Sequence, residues 1–157
     1  MVPYGLNKEQ FVAMYRRKLE NISKGAIEAI RDVISKPIGP GVDDAHVVIF
    51  PGEDGAAPAA WIYYGGKNKK VDGSDPSIFP GRSMELDLGL EPLAEIDELY
   101  FIHPEEFPGL ELAVPLLGRW LAECWWKAGG WGYPLPTIST VHDFEPIGRE
   151  VLSNGGT

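Results

Sequence analysis

The side chains best suited to chemistry in this sequence are three histidines and the acids near them. His46 lies in an apparent strand, His103 precedes a proline, and His142 is followed directly by Asp143. Imidazole and carboxylate groups can bind metals or transfer protons. A small metal-dependent hydrolase that uses His103, His142 and Asp143 is therefore one hypothesis. Since no two histidines have the short spacing of a local ligand pair, we expect no metal or cofactor.

Motifs that carry nucleophilic or phosphate chemistry are missing from the sequence. It contains no G-x-S-x-G, P-loop or G-x-G-x-x-G pattern. Cys124, the one cysteine, falls on the apolar stripe of a predicted helix, where a thiol is normally an inert hydrophobic group. A lone cysteine fits a reducing compartment. Because no signal peptide or bilayer-length apolar run is visible, we expect a cytoplasmic protein.

Charge is distributed unevenly along the chain. The formal net charge is −9, made up of +3 over residues 1–36 and −12 over residues 37–157. The segment from Glu85 to Glu111 has nine carboxylates and no lysine or arginine. Such a segment repels phosphate backbones and anionic lipid and attracts basic proteins, so we predict a basic protein partner and no nucleic-acid or membrane binding. The predicted contacts on this segment are Glu85, Asp87, Glu91, Glu95 and Glu98.

A second candidate contact region is aromatic. Helical spacing places Trp120 on the buried stripe of its helix, Trp125 at the margin and Trp126 almost opposite. The loop that follows adds Trp131 and Tyr133. Exposed Trp and Tyr are enriched in binding hot spots, so Trp126, Trp131 and Tyr133 are predicted to contact a partner. The alternative is that the loop folds back and covers Trp126.

The elements that would position these groups begin with a helical segment at the start of the chain. Asn7 and Gln10 form a capping pair, with Leu6 and Phe11 in the flanking staple positions. Apolar residues then recur at helical spacing. This pattern predicts a helical segment over residues 7–36, as one helix or as two with a break near residues 21–25.

The remainder of the core, residues 45–152, is predicted to form a sheet with further helices. Helices are expected to start near Pro92 and Pro115, the second ending at Gly129, and residues 65–80 are expected to form a long exposed loop. The element order predicts one α+β domain over residues 1–157, with an antiparallel or mixed sheet of about 4–6 strands and helices mainly on one face. The predicted strands are 45–50, 59–64, 83–88, 100–102 and 137–142.

The tryptophan-rich segment from Trp120 to Gly130, with the following strand that ends in His142-Asp143, resembles in general style the small acidic immunity proteins of bacterial polymorphic toxin systems. The resemblance implies a non-catalytic protein that occludes a basic toxin domain by presenting acidic groups. A protein-binding domain of this kind is the leading hypothesis. The alternatives are the small hydrolase and a structural subunit of a homo-oligomer held through Trp126 and Trp131.

Overall fold

The fold is given by a computed structural model, which describes residues 5–39, 41–52, 57–66 and 83–155. The predicted loop at residues 65–80 lies almost entirely outside this described part. In chain order the elements are α1 (Lys8–Ile34), β1 (Asp44–Phe50), β2 (Ala59–Gly65), β3 (Ser83–Leu86), a 3-10 helix (Glu91–Glu95), α2 (Leu99–Ile102), α3 (Gly109–Lys127), a second 3-10 helix (Gly130–Gly132), β4 (Pro136–Val141) and β5 (Glu150–Asn154).

Helix α1 is one uninterrupted helix, which resolves the choice between one helix and two. Its start is the predicted capping box: Gln10 N donates to Asn7 Oδ1 at 2.8 Å, and Asn7 N donates to Gln10 Oε1 at 3.0 Å. These two bonds satisfy backbone donors that a helix start leaves unpaired. The apolar stripe keeps its period across residues 21–25, so burial holds the helix together there. The buried residues are Phe11, Tyr15, Leu19, Ala26, Ile30 and Val33.

The strands form one mixed sheet in the order β3-β2-β1-β4-β5. The β1–β2 and β2–β3 pairs are antiparallel. Strand β4 lies parallel to β1, and β5 runs antiparallel to β4 at the edge. The predicted α+β class and the predicted antiparallel or mixed sheet are confirmed.

Helices cover the face of the sheet on which alternate strand residues are buried. Val47 and Ile49 of β1 and Ile62 of β2 are buried in one hydrophobic cluster with residues of the helices. Helix α3 packs against β4 and β5, and α1 packs along α3. The opposite face carries half-exposed side chains, among them His46 and Trp61. A sheet with one solvated face explains the alternation that predicted β1 and β2.

The segment between β3 and α3 differs from the prediction. The expected two-turn helix after Pro92 is only a five-residue 3-10 helix, because Ile96 already has extended backbone (φ −68°, ψ 133°). Residues 100–102 were predicted to be a strand, and this is wrong, because they belong to α2. The Asp97 carboxylate accepts a hydrogen bond from Leu99 N at 3.0 Å and favours a helical turn.

Helix α3 begins at Gly109, six residues before the predicted start at Pro115. The predicted burial of Trp120, Leu121 and Cys124 is confirmed. The buried surface is wider than the predicted stripe, because the helix lies between α1 and the sheet. None of the helices in the described part of the chain combines the length and apolarity needed to cross a bilayer.

Pro115 lies inside α3, where it removes the hydrogen bond to the Glu111 carbonyl. We expect Pro115→Ala to raise the free energy of unfolding by about 1–2 kcal/mol. This is less than the ~3 kcal/mol cost of an interior proline, because proline also restricts the unfolded chain. Urea denaturation measures the change. The control is Pro134→Ala, at an exposed position outside the helices, which should give no gain. An equal or lower stability of Pro115→Ala would contradict the expectation.

Candidate functional site

The acidic side chains of this segment are exposed from its first residue to its last, while many of its apolar side chains are buried in the core. All nine carboxylates from Glu85 to Glu111 belong to exposed residues. Glu95 lies 3.8 Å from Lys18 Nζ of α1, and Glu105 lies 3.9 Å from His103 Nδ1. Lys18 of helix α1 therefore compensates part of the negative charge of the acidic segment, although it lies far from that segment in the sequence.

The five predicted acidic contacts follow one another from the β3 edge of the sheet. Glu85 lies opposite Trp61 on the half-exposed face. Asp87 accepts a hydrogen bond from Gly89 N at 3.2 Å, which holds the turn after β3. The other contacts, Glu91, Glu95 and Glu98, are exposed on the 3-10 helix and at the start of α2.

Trp126 and Trp131 form an aromatic pair at the end of α3. Their rings are edge to face, with centroids 6.4 Å apart and an interplanar angle of 71°. The guanidinium carbon of Arg119 lies 5.0 Å from the Trp126 ring centroid. The loop does fold back onto Trp126, which is half-buried, but Trp131 remains 46% exposed. The pair therefore presents an aromatic surface to solvent.

Tyr133 must be removed from the predicted contacts, because it is only 3% exposed. Its hydroxyl lies 3.1 Å from the Tyr64 hydroxyl, and its ring packs edge to face on Trp125 at 5.7 Å. Burial raises the pKa of Tyr133. Ser153 Oγ donates to the Tyr133 carbonyl at 2.6 Å and so holds this part of the loop against β5.

The aromatic pair forms one side of a groove at the free edge of the sheet. The groove has a volume of about 580 Å³. One side is formed by α3 and the loop that follows it. The other side is formed by β5 and the residues that precede it. In the described part of the chain six large apolar side chains are exposed, and Trp131, Ile147 and Val151 are three of them. We call this site the β5 groove. Its lining residues are Trp126, Trp131, Pro146, Arg149, Glu150 and Val151.

Ion pairs of Arg119 lie beside the β5 groove. Arg119 Nη1 lies 3.5 Å from Glu150 Oε2, and Arg119 Nε lies 3.4 Å from Glu123 Oε1. These contacts and the Trp126 ring hold the guanidinium in place. The sequence patterns missed four lining residues, because neither β5 nor its approach was predicted; they are Pro146, Arg149, Glu150 and Val151.

The start of the acidic segment and the β5 groove lie at opposite edges of the sheet. Strand β3, which starts the acidic segment, is one edge, and β5 is the other. Four interstrand spacings of about 4.8 Å each separate them, a width of about 19 Å. The two predicted contact regions are therefore separate surfaces.

A cleft on the half-exposed face holds two of the histidines. His46 Nε2 and Thr140 Oγ1 are hydrogen-bonded at 2.7 Å, and His142 Nε2 lies 3.5 Å from Asp143 Oδ2. His103 does not line this cleft, which has a volume of about 430 Å³. Among the described residues, no group of three or more His, Cys, Asp and Glu side chains is placed to hold a metal ion. The structure therefore brings His142 and Asp143 together but not the full hydrolase trio.

Cys124 is buried between α1 and the core. Burial raises the pKa of its thiol to about 11, against the opposing effect of a hydrogen bond with Ser23. The Ser23 hydroxyl also accepts a hydrogen bond from Trp120 Nε1 at 2.8 Å. A neutral, buried thiol is a poor nucleophile, so this residue acts in packing.

Comparison with known proteins finds no matching family model, no similar curated protein and no similar solved structure. The resemblance to immunity proteins therefore stays a prediction.

Proposed function

We propose that this protein is a non-catalytic protein-binding domain that anchors a positively charged partner in the β5 groove. The single observation that carries the proposal is the aromatic pair of Trp126 and the 46% exposed Trp131, which lines a groove beside an edge strand. Clusters of this kind on a protein surface are typical of interaction sites. The acidic segment contributes by attracting the partner.

The chemistry of the groove favours a protein ligand. Tryptophan and arginine are the residues most enriched in binding hot spots. Trp126 is held between Trp131 and Arg119, and Arg119 is itself held by Glu123 and Glu150. Because these side chains already contact one another in the free protein, binding loses less of their conformational entropy than it would for unpaired side chains.

One partner can contact both surfaces. A standard interface buries about 800 Å² on each protein, and a circular patch of that area is about 32 Å across. This exceeds the width of about 19 Å that four interstrand spacings give. The groove and the acidic segment are, however, too far apart for strong direct coupling at physiological salt, where screening acts within about 8 Å. We therefore assign them different roles, anchoring and attraction.

The resemblance to immunity proteins supports a toxin domain as the positively charged partner. We further propose that the protein acts in the cytoplasm. The homo-oligomer alternative is disfavoured by charge, because each copy carries −9. The hydrolase alternative has less support than binding, because His103 lies apart from the cleft that holds His142.

The test is binding kinetics with a partner isolated by affinity capture from the native organism. We expect higher ionic strength to slow association severalfold, because exposed charges steer encounter. The triple variant Glu91→Gln, Glu95→Gln, Glu98→Gln should slow association in the same way at low salt. Trp131→Ala should mainly speed dissociation, by about 10-fold or more, because buried aromatic anchors act after docking.

The matched control neutralises three exposed carboxylates of α1, Glu9, Glu20 and Glu28, with the same change in net charge. This control should slow association less than the triple variant of the acidic segment. If association is insensitive to salt and to both triple variants, the acidic segment is only a solvated surface. If Trp131→Ala leaves dissociation unchanged, the β5 groove is not the anchor.

A further inference from the structure

The free edge of the sheet at β5 has the geometry of a site for one more strand. β5 pairs with β4 on one side and is the last strand of the described sheet on the other. An edge strand presents a row of unpaired N–H and C=O groups. The residues of β5, Glu150 to Asn154, include no lysine or proline, which are the residues that commonly block such an edge.

We infer that β5 takes up an extended segment of the partner as a sixth strand, with an apolar side chain of that segment in the β5 groove. This inference rests on the proposed protein-binding function and adds the mode of recognition. In strand addition, main-chain hydrogen bonds provide affinity, and pockets for alternate side chains provide specificity.

The shape of the groove fits this mode. Trp126 and Trp131 line it from the helical layer, and Glu150 and Val151 line it from the strand. A segment that runs beside β5 therefore lies between the edge and the aromatic pair. Side chains alternate between the two faces of a strand, so every second residue of the segment is directed to the groove. Val151, which is 47% exposed, gains a cross-strand neighbour at about 4.5–5.5 Å.

Charge identifies the occupant as a different, positively charged protein. A second copy would bring another −9 and would offer the acidic segment no complementary charge. At the groove itself, Arg119 is paired with Glu123 and Glu150, whereas Arg149 forms no ion pair with a described residue. The residue of the segment nearest Arg149 should therefore be acidic or neutral. The positive charge of the partner then lies outside the added strand, where it faces the acidic segment.

The probe for this inference is a linear peptide selected from random 12-residue peptides displayed on phage. Selection uses the immobilised full chain, and recovered peptides are counter-screened on Trp131→Ala. Binding should fall about 10-fold or more on Trp131→Ala, in line with loss of an aromatic hot spot. The control Tyr63→Ala, at a residue of β2 that is 37% exposed, should bind normally. Circular dichroism confirms that both variants fold.

Backbone N-methylation of the peptide, one position at a time, tests the strand geometry. Alternate N–H groups of an added strand face its neighbour, so binding should fall about 10-fold at every second position and little at the positions between. Hydrogen exchange of the β5 amides should also slow on binding, while exchange in the other edge strand, β3, stays unchanged.

The remaining outcomes separate this inference from the proposed function. If no recovered peptide depends on Trp131, or if losses recur every three to four positions, strand addition is overturned. A native partner that needs Trp131 but leaves β5 exchange unchanged also overturns it, while the protein-binding function stands. In the converse case, peptides add to β5 as a strand but Trp131→Ala leaves binding of the native partner unchanged. That result would contradict the proposed function. A dimer of the free chain that Val151→Lys abolishes would assign the edge to a second copy, against the inferred occupant.

Discussion

Trp125→Ala is expected to lower the free energy of unfolding by about 3–5 kcal/mol, the usual cost of removing a large aromatic side chain from a core. Trp125 is fully buried, and its ring packs edge to face on Tyr133 at 5.7 Å. Gly130 lies directly against the indole, so that a Cβ at residue 130 would collide with Trp125 Nε1. Neighbours this rigid cannot close the cavity that the truncation leaves, which places the loss in the upper part of the range.

The matched control for this variant is Trp131→Ala, which removes the same side chain from a position 46% exposed. It should cost less than about 1 kcal/mol, because surface substitutions rarely have large effects. Urea denaturation followed by circular dichroism measures both values. Equal losses in the two variants would show that the burial of Trp125 or the exposure of Trp131 is wrong.

Gly118→Ala is expected to destabilise the protein by about 2–3 kcal/mol, a typical cost of adding an atom to a packed interior. A Cβ at residue 118 would collide with the Gly148 carbonyl oxygen and would lie 2.8 Å from Gly148 Cα. Both contacts are with backbone, which cannot turn away as a flexible side chain can. Helix α3 or the turn that contains Gly148 would have to move.

The same substitution has the opposite expected sign at Gly25 in α1. A Cβ there meets nothing within 4 Å, so Gly25→Ala should stabilise the helix by about 0.5–1 kcal/mol. Thermal and urea unfolding of the two variants give the comparison. A neutral or stabilising Gly118→Ala would contradict the close approach of α3 to the turn.

Elements defined by local interactions were predictable from the sequence. The start of α1 depends on two hydrogen bonds between Asn7 and Gln10. Because these residues are only three positions apart, the capping pattern can be recognised in the sequence. Strand β1 alternates between buried and half-exposed residues because helices cover only one face of the sheet. Burial of Trp120 follows from helical period alone. In each case residues close in sequence decide the outcome.

Elements defined by distant contacts were not predictable in this way. The β4–β5 pairing has a register shift at Thr137 and Ile138, and neighbours Leu152 and Ser153 are both buried. This interrupts the alternation by which a strand is recognised, so β5 was missed, and with it the lining residues Glu150 and Val151. Tyr133 was predicted to be exposed because its partner in the core, Tyr64, lies far away in the sequence.

The parallel pairing of β1 with β4 also determines when the sheet can be completed during synthesis. Ala45 pairs with Thr137, about 90 positions further along the chain, and ribosomes add about 5–20 residues per second. For about 5–20 s, therefore, one side of β1 has no β4 to pair with, although β2 is already made. A strand this rich in valine and isoleucine, with an open side, is prone to associate with other nascent chains. The growing polypeptide is most vulnerable to aggregation in this interval, and β4 ends it.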